Sequence, residues 1–419
     1  MKLGLLGIDA RIAEVVAAAP RHGDTVVIGC DLPDTGPLVR LVGPTVPRDA
    51  AWQPLLDAQL CDAVLVGGDG WSESRADGVR ALVQAGRTLL LSHPLVLSML
   101  WAYELDMIRG DSRARLIPCL PDRRHPFIAR LTRRIEAGLA GAGPLGTVES
   151  ISMERRLPDR SRDAVLRALA CDTDLIRVLA GDPARLSTLG AADAESAWAT
   201  LSVGLSGPAQ LPVRWQVVRG ESAALRITLV QSAGTTTIDI PDQPAVAGDP
   251  ARPDAVIPPP WRWTDGDAAA ETHSFDRAAA ALDTLHGVAP PTPIPDATWA
   301  DAARAIEVAE TVPRSLARGR AIDLHQEEFS ELGTFRGTMA SLGCGLVLAA
   351  LCVLVLATLV GGVARQAGWA WGERIAGIWP QVVLAVLGMF LALQVLPVLV
   401  GGGAPPGRGT PPGPDADRR

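Results

Sequence analysis

Five positions near the start of the chain have the residue types and places of a dinucleotide-binding site. Gly7 ends the apolar run Lys2–Gly7, and Asp31 follows the apolar run Val26–Cys30. In a nucleotide-binding sheet, a glycine after the first strand lets the backbone approach a pyrophosphate, and an acidic residue after the second strand holds a ribose hydroxyl. The candidate cofactor-binding residues are therefore Gly7, Asp9, Arg11, Asp31 and Gly67.

The glycine pattern of this site is incomplete, because Asp9 and Ile12 stand where a G-x-G-x-x-G fingerprint has its second and third glycines. A carboxylate at the second place repels a pyrophosphate, since two like charges about 4 Å apart at a dielectric of about 20 cost on the order of 4 kcal/mol. That energy corresponds to roughly a thousandfold weaker binding, which Arg11 offsets in part. We therefore expect no NAD(P) binding or weak NAD(P) binding.

His93 has the residue type of a general base and follows the apolar run Thr88–Leu91. The unperturbed pKa of histidine is about 6.5, which suits proton transfer near neutral pH. The six cysteines form no C-x-x-C pair and no metal-ligand spacing, so we expect reduced thiols and no metal site. G-x-S-x-G, H-E-x-x-H and phosphate-loop patterns do not occur in the sequence.

The elements that position these residues alternate between buried strands and amphipathic helices. Ala63–Val66 and Thr88–Leu91 are apolar runs typical of buried strands, and Ala76–Ala85 between them has the spacing of a helix that Gly86 closes. A strand, a helix and a strand within about thirty residues predict a βαβ unit and a parallel sheet. The fold class is therefore α/β, with a Rossmann-like, nucleotide-binding-type domain over residues 1–115.

The next part of the chain has a different pattern. Short alternating runs from Arg185–Leu189 to Thr235–Ile240 indicate strands of a second sheet with one open face. Helical patterns over Phe127–Gly138 and Ser161–Gly181 accompany them. Together these runs predict an α+β domain with an open mixed sheet over residues 116–324.

Three stretches resemble the Gfo/Idh/MocA oxidoreductases. Asp62–Val66 matches a strand of that family, Ala81–Pro94 matches the helix and strand that follow, and Ser161–Gly181 is similar to the helix that carries the family's catalytic histidine. The resemblance spans about Met1–Leu324. It implies the family's two-domain fold and NAD(P)-dependent oxidation of a sugar-like substrate.

The same resemblance implies which residues stand at the catalytic positions. The family's catalytic lysine falls on His93, and no other lysine replaces it because Lys2 is the only lysine in the chain. The family's histidine falls on Cys171, and a thiol with an unperturbed pKa of about 8.5 carries a proton only weakly. Asp172 and Asp174 belong to the matching end of that helix, where they are expected to orient it by hydrogen bonds. The candidate catalytic residues are His93, Cys171, Asp172 and Asp174.

Three classes of function remain open. The first is a family member that has lost catalysis and serves as a membrane-tethered binding or scaffold module, which the missing glycines and the missing lysine favour. The second is an active NAD(P)-dependent oxidoreductase of a sugar-like substrate with His93 as base. The third is a sensor that binds a nucleotide or sugar without turnover.

The C-terminal part predicts membrane segments, because two long runs there carry no charge and a membrane helix needs about 20 apolar residues. The predicted transmembrane helices cover residues 340–364 and 375–400. A juxtamembrane segment, 325–339, precedes them, and a disordered tail, 401–419, follows. More arginines flank the two outer ends than the linking loop, which favours cytoplasmic termini. We therefore expect a protein of the cell inner membrane with its soluble domain in the cytoplasm.

Charge and shape suggest the partners of the chain. The formal net charge is −7, which argues against nucleic-acid binding. The segment Arg109–Arg167 has thirteen arginines against seven acidic residues, so it can face anionic lipid if it lies near a membrane. The expected partners are the membrane, a small-molecule ligand and a second copy of the chain through the open sheet.

Overall fold

A computed structural model describes most of the N-terminal three quarters of the chain. The described residues are 1–33, 42, 46–49, 51–190, 196–207, 211–241, 259–324, 355–356, 359, 362–363 and 366–368. Residues Met1–His325 form one compact unit. Two sheets, one of six strands and one of nine, organise this unit.

The first sheet is parallel throughout and has the order β3-β2-β1-β4-β5-β6. Its strands are β1 Lys2–Leu6, β2 Thr25–Cys30, β3 Arg48–Asp49, β4 Ala63–Val66, β5 Thr88–Leu91 and β6 Arg115–Pro118. The strand order reverses direction between β1 and β4, and ligands of such sheets bind in the crevice beyond the carboxyl ends at that point. The predicted Rossmann-like sheet is therefore confirmed.

Helices connect these strands and begin at side-chain caps. They are α1 Ala10–Ala18, α2 Glu73–Gln84 and α3 Met99–Asp111. Ser98 caps α3 by accepting a hydrogen bond from the Trp101 amide, so α3 begins at Met99. The pattern over Trp52–Leu60 suggests a further helix, but the structure has only the 3-10 turn Gln53–Leu56 there.

The second sheet is mixed, because β7 and β10 are parallel while its other pairs are antiparallel. Its order is β14-β13-β12-β11-β7-β10-β9-β8-β15. Its strands are β7 Val148–Leu157, β8 Arg185–Leu189, β9 Ser202–Ser206, β10 Val213–Arg219, β11 Ala224–Gln231, β12 Gly234–Pro241, β13 Trp261–Asp265, β14 Glu271–His273 and β15 Ile322–Asp323. The predicted mixed sheet is confirmed, and the two strands around Trp261 and His273 extend it.

The remaining helices pack against one face of the second sheet or beside the first sheet. They are α4 Pro126–Leu139, α5 Arg162–Ala180, α6 Ser196–Ala199, α7 Arg277–His286 and α8 Trp299–Arg318. α4 and α5 bury Phe127 and Leu169 against the second sheet. Leu282 of α7 and Trp299 of α8 pack into the cores beside the first sheet. α7 and α8 follow residue 116 in the chain, yet they pack beside the first sheet. The domain boundary at residues 115–116 therefore stays a prediction.

The predicted membrane segments find no support in this structure. Among the residues that it describes, no helix is long and apolar enough to cross a bilayer. The segments 325–339, 375–400 and 401–419 lie outside the described residues, as do all but a few residues of 340–364. The inner-membrane localisation inferred from them therefore stays a prediction.

Candidate functional site

The crevice beyond β1 and β4 contains the predicted cofactor residues, and Asp9 lies at its centre. Asp9 is the N-cap of α1, and its Oδ1 accepts a hydrogen bond from the Ile12 amide at 3.0 Å. Its Oδ2 accepts from the Gly68 amide, which follows β4, at 2.6 Å. A helix N-terminus of this kind is where a Rossmann fold holds a phosphate, because free amides and the helix dipole both favour an anion. Here a carboxylate of the chain itself already meets these amides.

Arg75 of α2 fills the neighbouring part of the crevice. It is only 3% exposed, and its Nε donates to Asp31 Oδ2 at 2.6 Å. Its Nη1 donates to the carbonyl oxygens of Gly67, at 3.0 Å, and Asp69, at 2.6 Å. The guanidinium therefore binds the carboxylate that would hold a ribose and links the ends of β2 and β4.

Gly7 is required by this arrangement. Its φ is +65°, and a Cβ built on it would lie 2.4 Å from Cζ of Arg75. The absence of a side chain at Gly7 thus makes room for a guanidinium, where the fingerprint uses it to make room for a pyrophosphate. At Gly67 the close neighbour is backbone, since a Cβ there would lie 2.4 Å from Cα of Ile8.

An NAD(P) dinucleotide does not fit these residues as they are arranged. The amides of Ile12 and Gly68 are taken by Asp9, and the carboxylate of Asp31 is taken by Arg75. Ile12 lies in the hydrophobic core beside the first sheet and does not line the crevice. Burial, and then the charge of Asp9, raise the pKa of Asp69, so negative charge beside Asp9 is already unfavourable.

The candidate catalytic residues meet around Arg11, in a group that we call the Arg11 cluster: Arg11, His93, Cys119 and Cys171. Nη1 of Arg11 donates to the His93 carbonyl at 3.1 Å and to the Cys119 carbonyl at 3.5 Å. Its Nη2 donates to Cys171 Sγ at 3.0 Å. Arg11 is exposed, and it thus connects the ends of β5 and β6 to the middle of α5.

His93 is poorly placed to act as a base. It is 5% exposed, and its Nε2 lies 3.3 Å from the carbonyl oxygen of Ala170. Burial, and then the nearby charge of Arg11, lower the pKa of His93 to about 3. At neutral pH the ring is therefore neutral but accepts a proton only weakly.

Cys171 joins the cluster as a hydrogen-bond donor. Its Sγ donates to the His93 carbonyl at 3.3 Å. Burial raises the pKa of its thiol, an effect that Arg11 only partly opposes. The group is thus a protonated thiol near neutral pH, and a thiol in this state is a weak nucleophile and a weak base.

Asp172 and Asp174 are tied into separate ion pairs. Asp172 accepts from Nε and Nη2 of Arg155 and, at 2.8 Å, from Nε1 of Trp215. Asp174 pairs with Arg123 on another side of α5, and burial raises its pKa. These contacts agree with the expectation that both aspartates orient α5. Asp174 does not meet His93 and Cys171, so the structure brings together only part of the predicted catalytic set.

Arg75 is the site residue that sequence reasoning missed. It precedes the predicted apolar face of α2 at Ala76, Val79, Leu82 and Val83, and it is buried along that face. A charged residue at a core-facing position was the available signal. Its partner Asp31 is 44 residues away in the sequence, so no local pattern could connect the two. Within the described part of the chain, no group of three or more His, Cys, Asp or Glu residues could hold a metal ion.

Comparison with known proteins agrees with the fold. No family model matches the chain, and no curated protein matches it. Among solved structures, it is similar to a myo-inositol dehydrogenase from Corynebacterium glutamicum, with 19% identity and a TM-score of 0.55 over 78% of this chain and 99% of that one. It is also similar to a levoglucosan dehydrogenase in complex with NADH and L-sorbose, with 13% identity and a TM-score of 0.58 over 78% of this chain and 99% of that one.

A third similar structure is an oxidoreductase from Agrobacterium radiobacter in complex with NAD+, L-tartaric acid and magnesium, with 14% identity and a TM-score of 0.54 over 77% of this chain and 98% of that one. These neighbours are oxidoreductases of the Gfo/Idh/MocA type. At such low identity the likeness establishes the shared fold.

Proposed function

We propose that the chain is a binding protein that uses a Gfo/Idh/MocA-type oxidoreductase fold and works without a dinucleotide. The observation that carries this proposal is the closed crevice. The Asp9 carboxylate holds the amides at the start of α1 and after β4, while Arg75 lies against Gly7 and holds Asp31. Both charged recognition elements of a dinucleotide site are therefore used inside the protein.

The Arg11 cluster supports a binding role over a chemical one. Its exposed guanidinium lies at the carboxyl edge of the first sheet, where ligands of such folds meet the protein. The groups beside it are a neutral buried imidazole and a protonated thiol. A small-molecule ligand would thus find a cation there and no ready proton acceptor. The membrane tether predicted from residues 340–364 and 375–400 is part of the same proposal, and it rests on the sequence alone.

The second candidate is an NAD(P)-dependent oxidoreductase of a sugar-like substrate. The comparisons support this candidate better than a non-catalytic role, because the similar solved structures are dehydrogenases and oxidoreductases and two of them hold NAD+ or NADH. For this chain to bind a dinucleotide, the Arg75 guanidinium would have to move away from Gly7, and the hydrogen bond between Asp9 and the Gly68 amide would have to break. The arrangement of these residues therefore favours the first candidate.

Titration with reduced cofactor separates the two candidates. The full chain, purified in mild detergent because of its predicted membrane segments, is titrated with NADH and with NADPH while the nicotinamide fluorescence is followed. The same preparation is then assayed for NAD(P)+ reduction with a panel of polyols. We expect no saturation below roughly millimolar cofactor, as the repulsion estimate implies, and no reduction. Micromolar binding with turnover of any polyol would establish the oxidoreductase in place of the binding protein.

A further inference from the structure

A second cavity lies away from the crevice, on the open face of the nine-stranded sheet. Its volume is about 820 Å³, and it crosses the neighbouring strands β7, β10, β9 and β8. Side chains alternate between the two faces of a strand. Ile151 and Met153 of β7 point into the core with α4 and α5, and Ser150 and Ser152 between them point to the open face. The cavity is therefore a groove on the face that the helices of residues 1–324 leave uncovered.

Hydroxyl groups supply much of the polar lining of this groove, which we call the serine groove. Five serines from three strands contribute: Ser150, Ser152, Ser187, Ser202 and Ser206. Each hydroxyl can both donate and accept, so the five together can satisfy a ligand with many oxygen atoms. Among the residues that line the groove there is no aromatic side chain. A stacking platform for a sugar ring is therefore absent from this lining, although apolar side chains such as the exposed Leu189 belong to it.

Local contacts position polar side chains of the groove. Ser187 Oγ donates to the Gly204 carbonyl at 3.5 Å. A Cβ built on Gly204 would lie 2.8 Å from Ser187 Oγ. Glycine at this position thus lets the hydroxyl lie close to the sheet. Nε of Arg214 donates to Ser202 Oγ at 3.2 Å, which orients both side chains across β10 and β9.

The groove has a positive charge although the chain as a whole is negative. Arg185 and Arg214 line it, and no aspartate or glutamate does. Within the described residues Arg214 has no ion pair, and Arg185 has only a 3.7 Å contact with Asp323 in which both side chains are more than half exposed. Exposed pairs of this kind are worth little.

Two other arginines of the same face are paired with acidic residues. Arg156 pairs with Glu154 at 3.3 Å, and Arg226 pairs with Asp239 at 2.6 Å. Among the described residues, Arg214 and Arg185 thus lack the close acidic partners that Arg156 and Arg226 have.

We propose that the serine groove binds a small phosphorylated polyol. Guanidinium groups bind phosphate oxygens through charge-assisted hydrogen bonds, and Arg214 and Arg185 supply two of them. The serine hydroxyls then hold the hydroxyls of the polyol. A volume of about 820 Å³ is within the range of small-molecule sites and far exceeds a lone phosphate. This site is separate from the crevice, so it does not depend on the function proposed above.

Calorimetry with a matched pair of probes tests this proposal. The full chain in mild detergent is titrated with glucose 6-phosphate and with glucose, which differ only by the phosphate. We expect binding of glucose 6-phosphate and no detectable heat from glucose. In Arg214→Ala the affinity for glucose 6-phosphate should fall at least tenfold. The control Arg226→Ala removes an arginine of the same face, outside the groove, and should keep the wild-type affinity.

Three results would overturn the proposal. Equal binding of the two probes would show that the phosphate is not recognised. Equal losses in the Arg214 and Arg226 variants would show attraction to the whole face and no site. Light scattering that finds a dimer in the wild type, broken by Arg214→Ala, would assign the groove to a second copy of the chain.

Discussion

Acidification from pH 7 to pH 5 should destabilise the fold through two buried neutral histidines. His93 and His125 are 5% and 0% exposed, and burial is the main cause that lowers the pKa of each from 6.5 to about 3. His125 stacks on Trp261 with ring centroids 3.8 Å apart, and its Nδ1 accepts from the Phe127 amide at 2.9 Å. A proton on either ring would introduce a charge that its surroundings do not solvate.

The sign and size of the effect follow from linkage. Between about pH 6.5 and pH 3 the unfolded chain binds more protons than the folded chain, so stability is complete above this window and falls as the pH falls through it. At pH 5, which lies about 1.5 pH units below the unfolded pKa, each histidine has removed about 2 kcal/mol. The pair should therefore lower the free energy of unfolding by about 4 kcal/mol between pH 7 and pH 5.

Urea unfolding at the two pH values, followed by tryptophan fluorescence, measures this loss. The informative variant is His125→Phe, which keeps an aromatic ring beside Trp261 but cannot take up a proton. Because one of the two histidines no longer titrates, the loss between pH 7 and pH 5 should be smaller than in wild type by about 2 kcal/mol. If the variant and the wild type lose the same stability over this interval, burial of a neutral His125 is not the cause.

Three further predictions concern the crevice, α5 and the membrane. Gly7→Ala should destabilise the fold by about 2–4 kcal/mol, since it adds a Cβ at positive φ against the Arg75 guanidinium. A double-mutant cycle with Arg75→Ala, measured by urea unfolding, should show strong coupling. Additive effects of the two substitutions would contradict the contact. Arg155→Met should destabilise by about 3–5 kcal/mol because it leaves the buried Asp172 carboxylate without its cation; a change within about 0.5 kcal/mol, typical of surface sites, would argue against this pair. With the native cysteines removed, a cysteine at Gly368 should react with an impermeant maleimide in whole cells, and one at position 409 should not; the reverse pattern would overturn the predicted topology.

The parallel sheet could be predicted because its signals are local. Ala63–Val66 and Thr88–Leu91 are apolar runs bounded by turn residues, and both appear as strands with the predicted ends. The strand Trp261–Asp265 is less evident from sequence, since the stretch before it is rich in proline and acidic residues. Its alternating burial, with Trp261 and Trp263 facing the core, is visible only once the pairing is known.

The positions of the candidate site residues could be predicted from the sequence, but the contacts and burial of their side chains could not. The sequence alone predicts that Asp31 follows the second strand and that Asp9 obstructs a pyrophosphate by electrostatic repulsion. In the structure the Asp9 carboxylate also accepts hydrogen bonds from the Ile12 and Gly68 amides. The contacts of Arg75 and the burial of His93 depend on residues far apart in the chain, so they follow from tertiary packing and not from any local pattern.

The most direct test of the closed crevice is to open it and measure the cofactor affinity that results. Asp9→Gly with Arg75→Ala removes both side chains, and glycine is nearly as good an N-cap as aspartate, so α1 should survive. The matched control is Arg80→Ala, which removes an arginine of the same helix that pairs with Glu104 and does not reach the crevice.

NADH fluorescence titration of the three proteins, with circular dichroism to establish folding, gives the answer. We expect no saturation below roughly millimolar NADH for the wild type and the control. The opened variant should bind at least tenfold tighter, within the roughly thousandfold gain that removal of the like charge allows. A wild type that saturates at micromolar NADH would contradict this expectation, as would a folded double variant that binds NADH no better than the wild type.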